Sequence, residues 1–209
     1  MNPNQNYKTE SSVKKHWLNF SNISTFVLAV LLLAMIVNPN IKAFVIQGLM
    51  KVGFFQPDVP VNSSGKDKNN KVIPEAVFVD GDHNTIKLSD LRGKVIFLNF
   101  WATWCPPCIA EMPSVNKLYQ RYKTKNDIVF LMIDADGNYA KAKTFMDKKG
   151  FDLPVYTQAS EIPESLFGNS LPTAVIINPE GQIVFRHEGG ADYANPKFFD
   201  FIDQLLLKK

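Results

Sequence analysis

Cysteine is almost absent from this chain: 209 residues hold two thiols, Cys105 and Cys108. So small a supply excludes a disulfide-stapled secreted scaffold, which needs several bridges. Histidine is nearly as scarce, with His16, His83 and His187 alone. No second cysteine pair and no Cys–His cluster completes a four-ligand zinc site. Charge of one sign is not in excess either, with 23 basic residues against 20 acidic and a net +3. No basic block marks a nucleic-acid footprint, so nucleic acid is set aside as a partner. Internal repeats are lacking. Hydrophobic residues at 45% leave enough apolar surface to offset chain entropy, which excludes wholesale disorder.

What is present is unevenly spread. Residues 1–21 are polar and rich in asparagine. Phe26 to Val37 is a hydrophobic run, and the 18 residues from Phe20 to Val37 carry no charge. As a helix they span roughly 27 Å, close to the thickness of a hydrocarbon core. Asn38-Pro39-Asn40 ends the run. The preceding polar segment is long, and no small-x-small cleavage site follows Val37 closely. A retained transmembrane anchor over 22–38 is therefore expected in preference to a cleaved signal peptide. Lys8, Lys14 and Lys15 before it, against Lys42 and Lys51 after it, bias the N-terminus slightly toward the cytoplasm.

Residues 41–55 place Ile41, Phe44, Val45, Gly48, Leu49, Val52 and Phe55 at helical spacing. Two readings stay open here: a helix lying in the membrane interface, or one packed on the folded domain or a partner. Residues 56–71 read QPDVPVNSSGKDKNNK, without aromatics or periodicity. A flexible tether reaching roughly 22 Å is expected. A globular domain should then occupy 72–209, long enough for one core.

Within that domain, Ala76–Asp80 and Thr85–Leu88 are expected as short strands joined by Gly81-Asp82. Val95–Phe100 is a near-continuous apolar run, as in a central strand covered on both faces. A helix over 106–122 follows, with Met112, Val115, Tyr119 and Tyr122 on one face. Ile128–Ile133 is a second buried strand, so strand, helix and strand make a right-handed βαβ unit. A helix over 139–149, stopped by Gly150, precedes a strand at 153–157. Asn178-Pro179-Glu180-Gly181 suits a turn between strands 174–177 and 182–187. Asn195 caps a final helix starting at Pro196. The fold class expected is α/β: a mixed sheet, βαβ then ββα, with helices on both faces.

The string Phe100-Trp-Ala-Thr-Trp-Cys-Pro-Pro-Cys108 falls where the central strand gives way to a helix. A thiolate, not a thiol, attacks a disulfide, and a helix N-terminus lowers a thiol's pKa. Pro106 and Pro107 fit a first helical turn. The N–H of Cys108 stands where an N-cap side chain normally reaches. Cys105 is thus the expected nucleophile, with Cys108 one turn away to close the bridge. Half a zinc site, a structural disulfide and inert buried thiols compete with this reading. The first lacks ligands, the second encloses too short a loop to matter, and the third fits the Trp and Pro flanks poorly.

FWATWCPPC, the Leu171-Pro172-Thr173 element and the order of elements resemble the thioredoxin superfamily. Leu88–Lys94 leading into that string, followed by Glu111-Met-Pro113, resembles its membrane-anchored TlpA/ResA-like thiol–disulfide oxidoreductases. The resemblance covers about residues 74–208. It implies that Cys105 is the exposed attacking cysteine and Cys108 the resolving one, and that no cofactor beyond their redox-active disulfide is needed. It implies that Pro172 is the cis-proline facing the pair, and that Trp104, Pro106, Pro107 and Leu171 border the substrate. Trp101 packs in the core instead. Where ordinary thioredoxins carry a buried aspartate, this chain has Asn99, which is no base. Glu111, on the face of Cys108, takes the proton-accepting role in the ResA-like branch. The 64 residues from Cys108 to Pro172 exceed what the thioredoxin core needs, and the 139–157 helix–strand unit, typical of this branch, accounts for the excess.

The implied activity is reduction of disulfides in extracytoplasmic proteins, of the kind that serves cytochrome c maturation. Electrons would come from an integral membrane donor, and the domain would be anchored on the outer side of the cell membrane. Two alternatives remain. A copper-binding metallochaperone on the same fold would use both thiols and His187, although those relatives space their cysteines differently. A thiol peroxidase would require a Pro-x-x-x-Thr-x-x-Cys pattern, which is absent.

Overall fold

A computed structural model of the chain describes residues 20–59 and 74–207. Residues 1–19 of the expected polar segment and 60–71 of the expected tether lie outside them. The chain divides into two compact units between Val37 and Asn38. The first contributes one helix, α1 (Phe20–Val37), which carries no charged residue. Its side chains at Phe26, Leu31 and Leu33 are exposed. Among the described residues no single helix is long and apolar enough to cross a membrane. Ile23–Ala34 and Pro39–Lys51 meet that test only when taken together, by length and composition.

The second unit begins with α2 (Pro39–Lys51), whose N-cap Asn38 accepts a hydrogen bond from the Asn40 N–H at 2.9 Å. A seven-stranded mixed sheet follows, with β1 (Val77–Val79), β2 (Thr85–Lys87), β3 (Val95–Trp101), β4 (Ile128–Asp134), β5 (Val155–Gln158), β6 (Thr173–Ile177) and β7 (Ile183–Glu188). Its order is β2-β1-β5-β4-β3-β6-β7. Strand β3 is parallel to β4, from Val95 opposite Ile128 to Trp101 opposite Asp134, and antiparallel to β6. All seven residues of β3 are buried, six of them apolar and the seventh Asn99, as expected of a central strand covered on both faces. The β6–β7 hairpin closes through the expected turn, where the Gly181 N–H donates to the Asn178 carbonyl at 2.9 Å.

Helices α3 (Pro106–Tyr122), α4 (Tyr139–Lys149) and α5 (Pro196–Leu207) complete the unit. Val95, Phe97 and Trp101 of β3 pack with Met112, Val115 and Leu118 of α3, with Ala142 and Met146 of α4, and with Phe198 and Ile202 of α5. The alternate residues Ile96, Leu98 and Phe100 pack on the other face with Leu88, Leu166 and Phe78. The expectation of helices on both faces is therefore corrected: α3, α4 and α5 all join the same core cluster. The opposite face is covered by the single 3₁₀ turn Leu88–Leu91 and the segment around Leu166. The sheet order explains this for α3 and α4. Strands β3, β4 and β5 step in one direction, and right-handed crossovers taken in one direction fall on one side.

The start of the second unit also differs from expectation. Ala43 and Met50 of α2 are buried against Ile109 and Ala110 of α3. Residues 56–59, expected as tether, run along the domain: Pro57 is buried and Val59 packs on the main core. The Asp192 N–H donates to the Phe55 carbonyl at 2.9 Å.

Candidate active site

The site lies at the C-terminal end of the central parallel strand, where open α/β sheets bind ligands. Trp101 ends β3, and Cys105 is the N-cap of α3 in extended conformation. Its Sγ accepts a hydrogen bond from the Cys108 N–H at 3.3 Å. The two sulfurs are bonded to each other, with Cα atoms 5.3 Å apart. Pro106 and Pro107 occupy the first turn and remain half-buried. The helix runs on without a break through Pro113 to Tyr122.

Cys105 is only 3% exposed, which corrects the expectation of an exposed cysteine. In the disulfide form its sulfur is turned to the helix end and to Cys108, and the residue joins the main core cluster. The exposed member of the motif is Trp104, at 55%. Its Nε1–H donates to both carboxylate oxygens of Asp136, at 3.0 and 2.9 Å. Trp101, by contrast, is fully buried and packs on Phe145.

Glu111 sits one turn after Cys108 and is completely buried. Asn99 lies on the face of β3 that meets α3, and its Nδ2 donates to Glu111 Oε1 at 2.8 Å. The Ala191 N–H donates to Oε2 at 3.2 Å. Loss of hydration pushes the Glu111 carboxyl up to about 8, and these two donors partly oppose that rise. A solvated surface carboxylate is thus excluded, because the group has no water-facing area.

The segment after β7, outside the cysteine motif, frames Glu111. Ser114 Oγ donates to the Glu111 carbonyl at 2.7 Å and accepts from the Tyr193 N–H at 3.1 Å. Gly190 allows the backbone to approach closely: a Cβ there would fall 2.9 Å from both the Pro107 carbonyl oxygen and Met50 Cε. The adjacent Gly189-Gly190 pair was the one sequence signal for this approach. Asp136 carried no comparable signal.

The Leu171–Pro172 peptide is cis, and Pro172 is buried immediately before β6, the antiparallel neighbour of β3. The Gly189 N–H donates to the Pro172 carbonyl at 2.9 Å. His187 stands on β7, stacked on Phe185, with its pKa lowered by burial. Among the described residues no group of three or more His, Cys, Asp or Glu could hold a metal ion. The site thus has a disulfide at a helix N-terminus and a buried carboxyl one turn further along the same helix, and the strand next to β3 opens on a cis-proline. Those are parts for moving electrons and protons between sulfur atoms.

A family model described as Redoxin matches residues 67–198. The thiol–disulfide oxidoreductase ResA of Bacillus anthracis is 38% identical over 115 residues, covering 54% of this chain and 66%, just under two thirds, of the relative. That of Bacillus cereus is 34% identical over 139 residues, covering 66% of this chain and 80% of the relative. Among solved structures, a thiol:disulfide interchange protein of the thioredoxin family from Chlorobium tepidum matches with a TM-score of 0.54 and 25% identity. It covers 65% of this chain and 95% of its own. A thiol:disulfide interchange protein from Bacteroides sp. has a TM-score of 0.54 at 24% identity, over 63% of this chain and 88% of its own, a likeness of fold.

Proposed function

We propose a reaction for a chain that belongs to the Redoxin family and, within the thioredoxin superfamily, to the ResA-like thiol–disulfide oxidoreductases: reduction of protein disulfides by the Cys105/Cys108 dithiol. The observation that carries this reading is the N-cap geometry. A Cys105 thiolate would receive the Cys108 N–H, and would sit at the positive end of the α3 dipole.

In the reduced enzyme the Cys105 thiolate attacks one sulfur of the substrate disulfide. The substrate S–S bond breaks, a mixed disulfide forms, and the leaving sulfur departs as a thiolate that takes a proton. Cys108 then passes its proton to the ionised form of Glu111 and attacks Cys105 Sγ. The second substrate sulfur leaves, and the Cys105–Cys108 bond closes. The substrate gains two electrons and the dithiol loses two. Burial holds the Glu111 carboxyl well above the ordinary carboxylate range, so its ionised form is a stronger proton acceptor than an exposed glutamate. By the resemblance, Trp104, Pro106, Pro107, Leu171 and the cis Pro172 would border the dithiol and receive the substrate backbone.

The resemblance to anchored relatives supports a finer assignment. Helix α1 anchors the chain in the cell membrane, the catalytic unit faces the extracytoplasmic side, and an integral membrane protein restores the dithiol. Substrates are disulfides of extracytoplasmic proteins, apocytochrome c among them. The full-length Cys108→Ser variant, expressed in membranes, should accumulate a mixed disulfide through Cys105. Identification of the captured protein then names the substrate. Absence of any captured species, with Cys105 intact, would refute the reading.

A further inference from the structure

Helix α2 has two apolar faces, and the fold uses one. Ala43 and Met50 are buried on α3, with Ile46 partly buried beside them. The other face presents Ile41, Phe44, Val45 and Leu49, continued by Val52 at the C-cap, all on one side at helical period. Each is exposed, Phe44 at 73% and Val52 at 69%. Nothing lies within 4 Å of a Cβ placed on Gly48, in the middle of this stripe. Phe54, just after the helix, is 75% exposed. An amphipathic helix with its polar side turned to water would need no second partner. Here the covered side is the domain itself, and an apolar side is left over.

We propose that this outer face of α2 lies in the interfacial layer of a lipid bilayer, as a docking surface for the catalytic unit. The inference rests on the proposed anchoring by α1. Only Asn38 separates the end of α1 at Val37 from the start of α2 at Pro39. A chain that leaves a hydrocarbon core at Val37 delivers α2 directly to the headgroup region. Composition fits that place: the stripe is aliphatic and aromatic, and Lys42 and Lys51 sit on the helix with long stems that reach toward headgroups. Asp and Glu are absent from the helix. The docking also bears on the site. Met50, on the inner face, packs beside Gly190 and Pro107. A helix fixed on the membrane by one face and on α3 by the other would hold the dithiol at a set height and angle above the surface.

The test uses the full chain in vesicles of phosphatidylcholine and phosphatidylglycerol. The photoreactive residue p-benzoylphenylalanine replaces Leu32, Phe44 or Gln47, one at a time. Gln47 is half-buried on the α3 side and serves as the reference position. Reduction of a small model disulfide by each chain confirms that it is folded. Lipid adducts at position 44 several-fold above those at 47 are expected, at a level comparable with position 32. Adducts at 32 with no excess at 44 overturn the docking inference and leave the anchor standing. Lipid adducts at neither 32 nor 44 overturn both. A protein adduct at 44 in native membranes, without lipid, assigns the face to a protein partner and overturns the proposal as well.

Discussion

Three helices of the second unit start in the same way and do different work. Each has a cap residue followed at once by proline: Asn38-Pro39 for α2, Cys105-Pro106 for α3 and Asn195-Pro196 for α5. In α5 the Asn195 Oδ1 accepts the Phe198 N–H at 2.9 Å. In α3 the sulfur of Cys105 accepts the equivalent N–H, that of Cys108, at 3.3 Å. Proline gives up no hydrogen bond at this position, so all three starts are locally sound. The difference lies in the acceptor. An amide oxygen is a good neutral partner and simply stabilises the helix. A thiol sulfur is a weak one, but when it loses its proton the same N–H and the helix dipole meet a full charge. One local arrangement is structural in α5 and, in the proposed reaction, supports a nucleophile in α3.

The largest effect comes from removing the sulfur while keeping the cap. Serine is among the better N-cap residues. Cys105→Ser should therefore leave the far-ultraviolet spectrum and the stability of the reduced protein within about 1 kcal/mol. It should nevertheless abolish turnover of a model disulfide. Residual turnover above the uncatalysed rate would break the contrast. In the native enzyme, alkylation rates measured against pH should show the Cys105 thiol ionising below the ordinary value of about 8.5.

Next in size is Glu111→Gln. The resolving step should slow by on the order of 10²-fold, the contribution typical of a positioned base. Stopped-flow decay of a mixed disulfide with thionitrobenzoate reads it directly. Stability carries a second signature. The folded protein holds the Glu111 proton up to about 8, whereas the free carboxyl releases it near 4.5. The associated stability is complete below the lower value and is lost as pH climbs through the higher one. The slope is at most about 1.4 kcal/mol per pH unit. Thermal melts of Glu111→Gln should lack that slope between the two values.

The oxygen cap should behave in the opposite way to the sulfur one. Asn195→Ala should cost about 1 kcal/mol, a fall of roughly 2–4 °C in Tm, and leave the exchange rate unchanged. The smallest effect concerns Trp104. Asp136→Ala removes the acceptor that fixes an exposed indole, worth about 1 kcal/mol at most. KM for a protein substrate should rise a few-fold, with kcat for a small disulfide unaltered.

Much of the site was legible because its signals are local. The Cys-Pro-Pro-Cys spacing and the apolar run before it identify a thiol at a helix start without any distant contact, and α3 and α4 begin and end where their caps place them. Glu111 was legible by its position on the helix face but not by its surroundings. Its burial depends on Asn99, twelve residues away, and on Ala191, eighty residues away. Cys105 was expected to be exposed, yet its accessibility is set by packing around the closed disulfide rather than by its neighbours in sequence.

By itself, then, the order of amino acids determined the elements, their caps and the placing of the cysteine pair at a helix start, since backbone preference and side-chain capping act within a few residues. The tertiary structure alone decided which face of the sheet receives α3, α4 and α5, which side of α2 is covered, and how far the Glu111 proton is held. Those outcomes follow from crossover handedness, from which apolar stripe finds a partner, and from loss of hydration, and each requires groups far apart in the chain to meet.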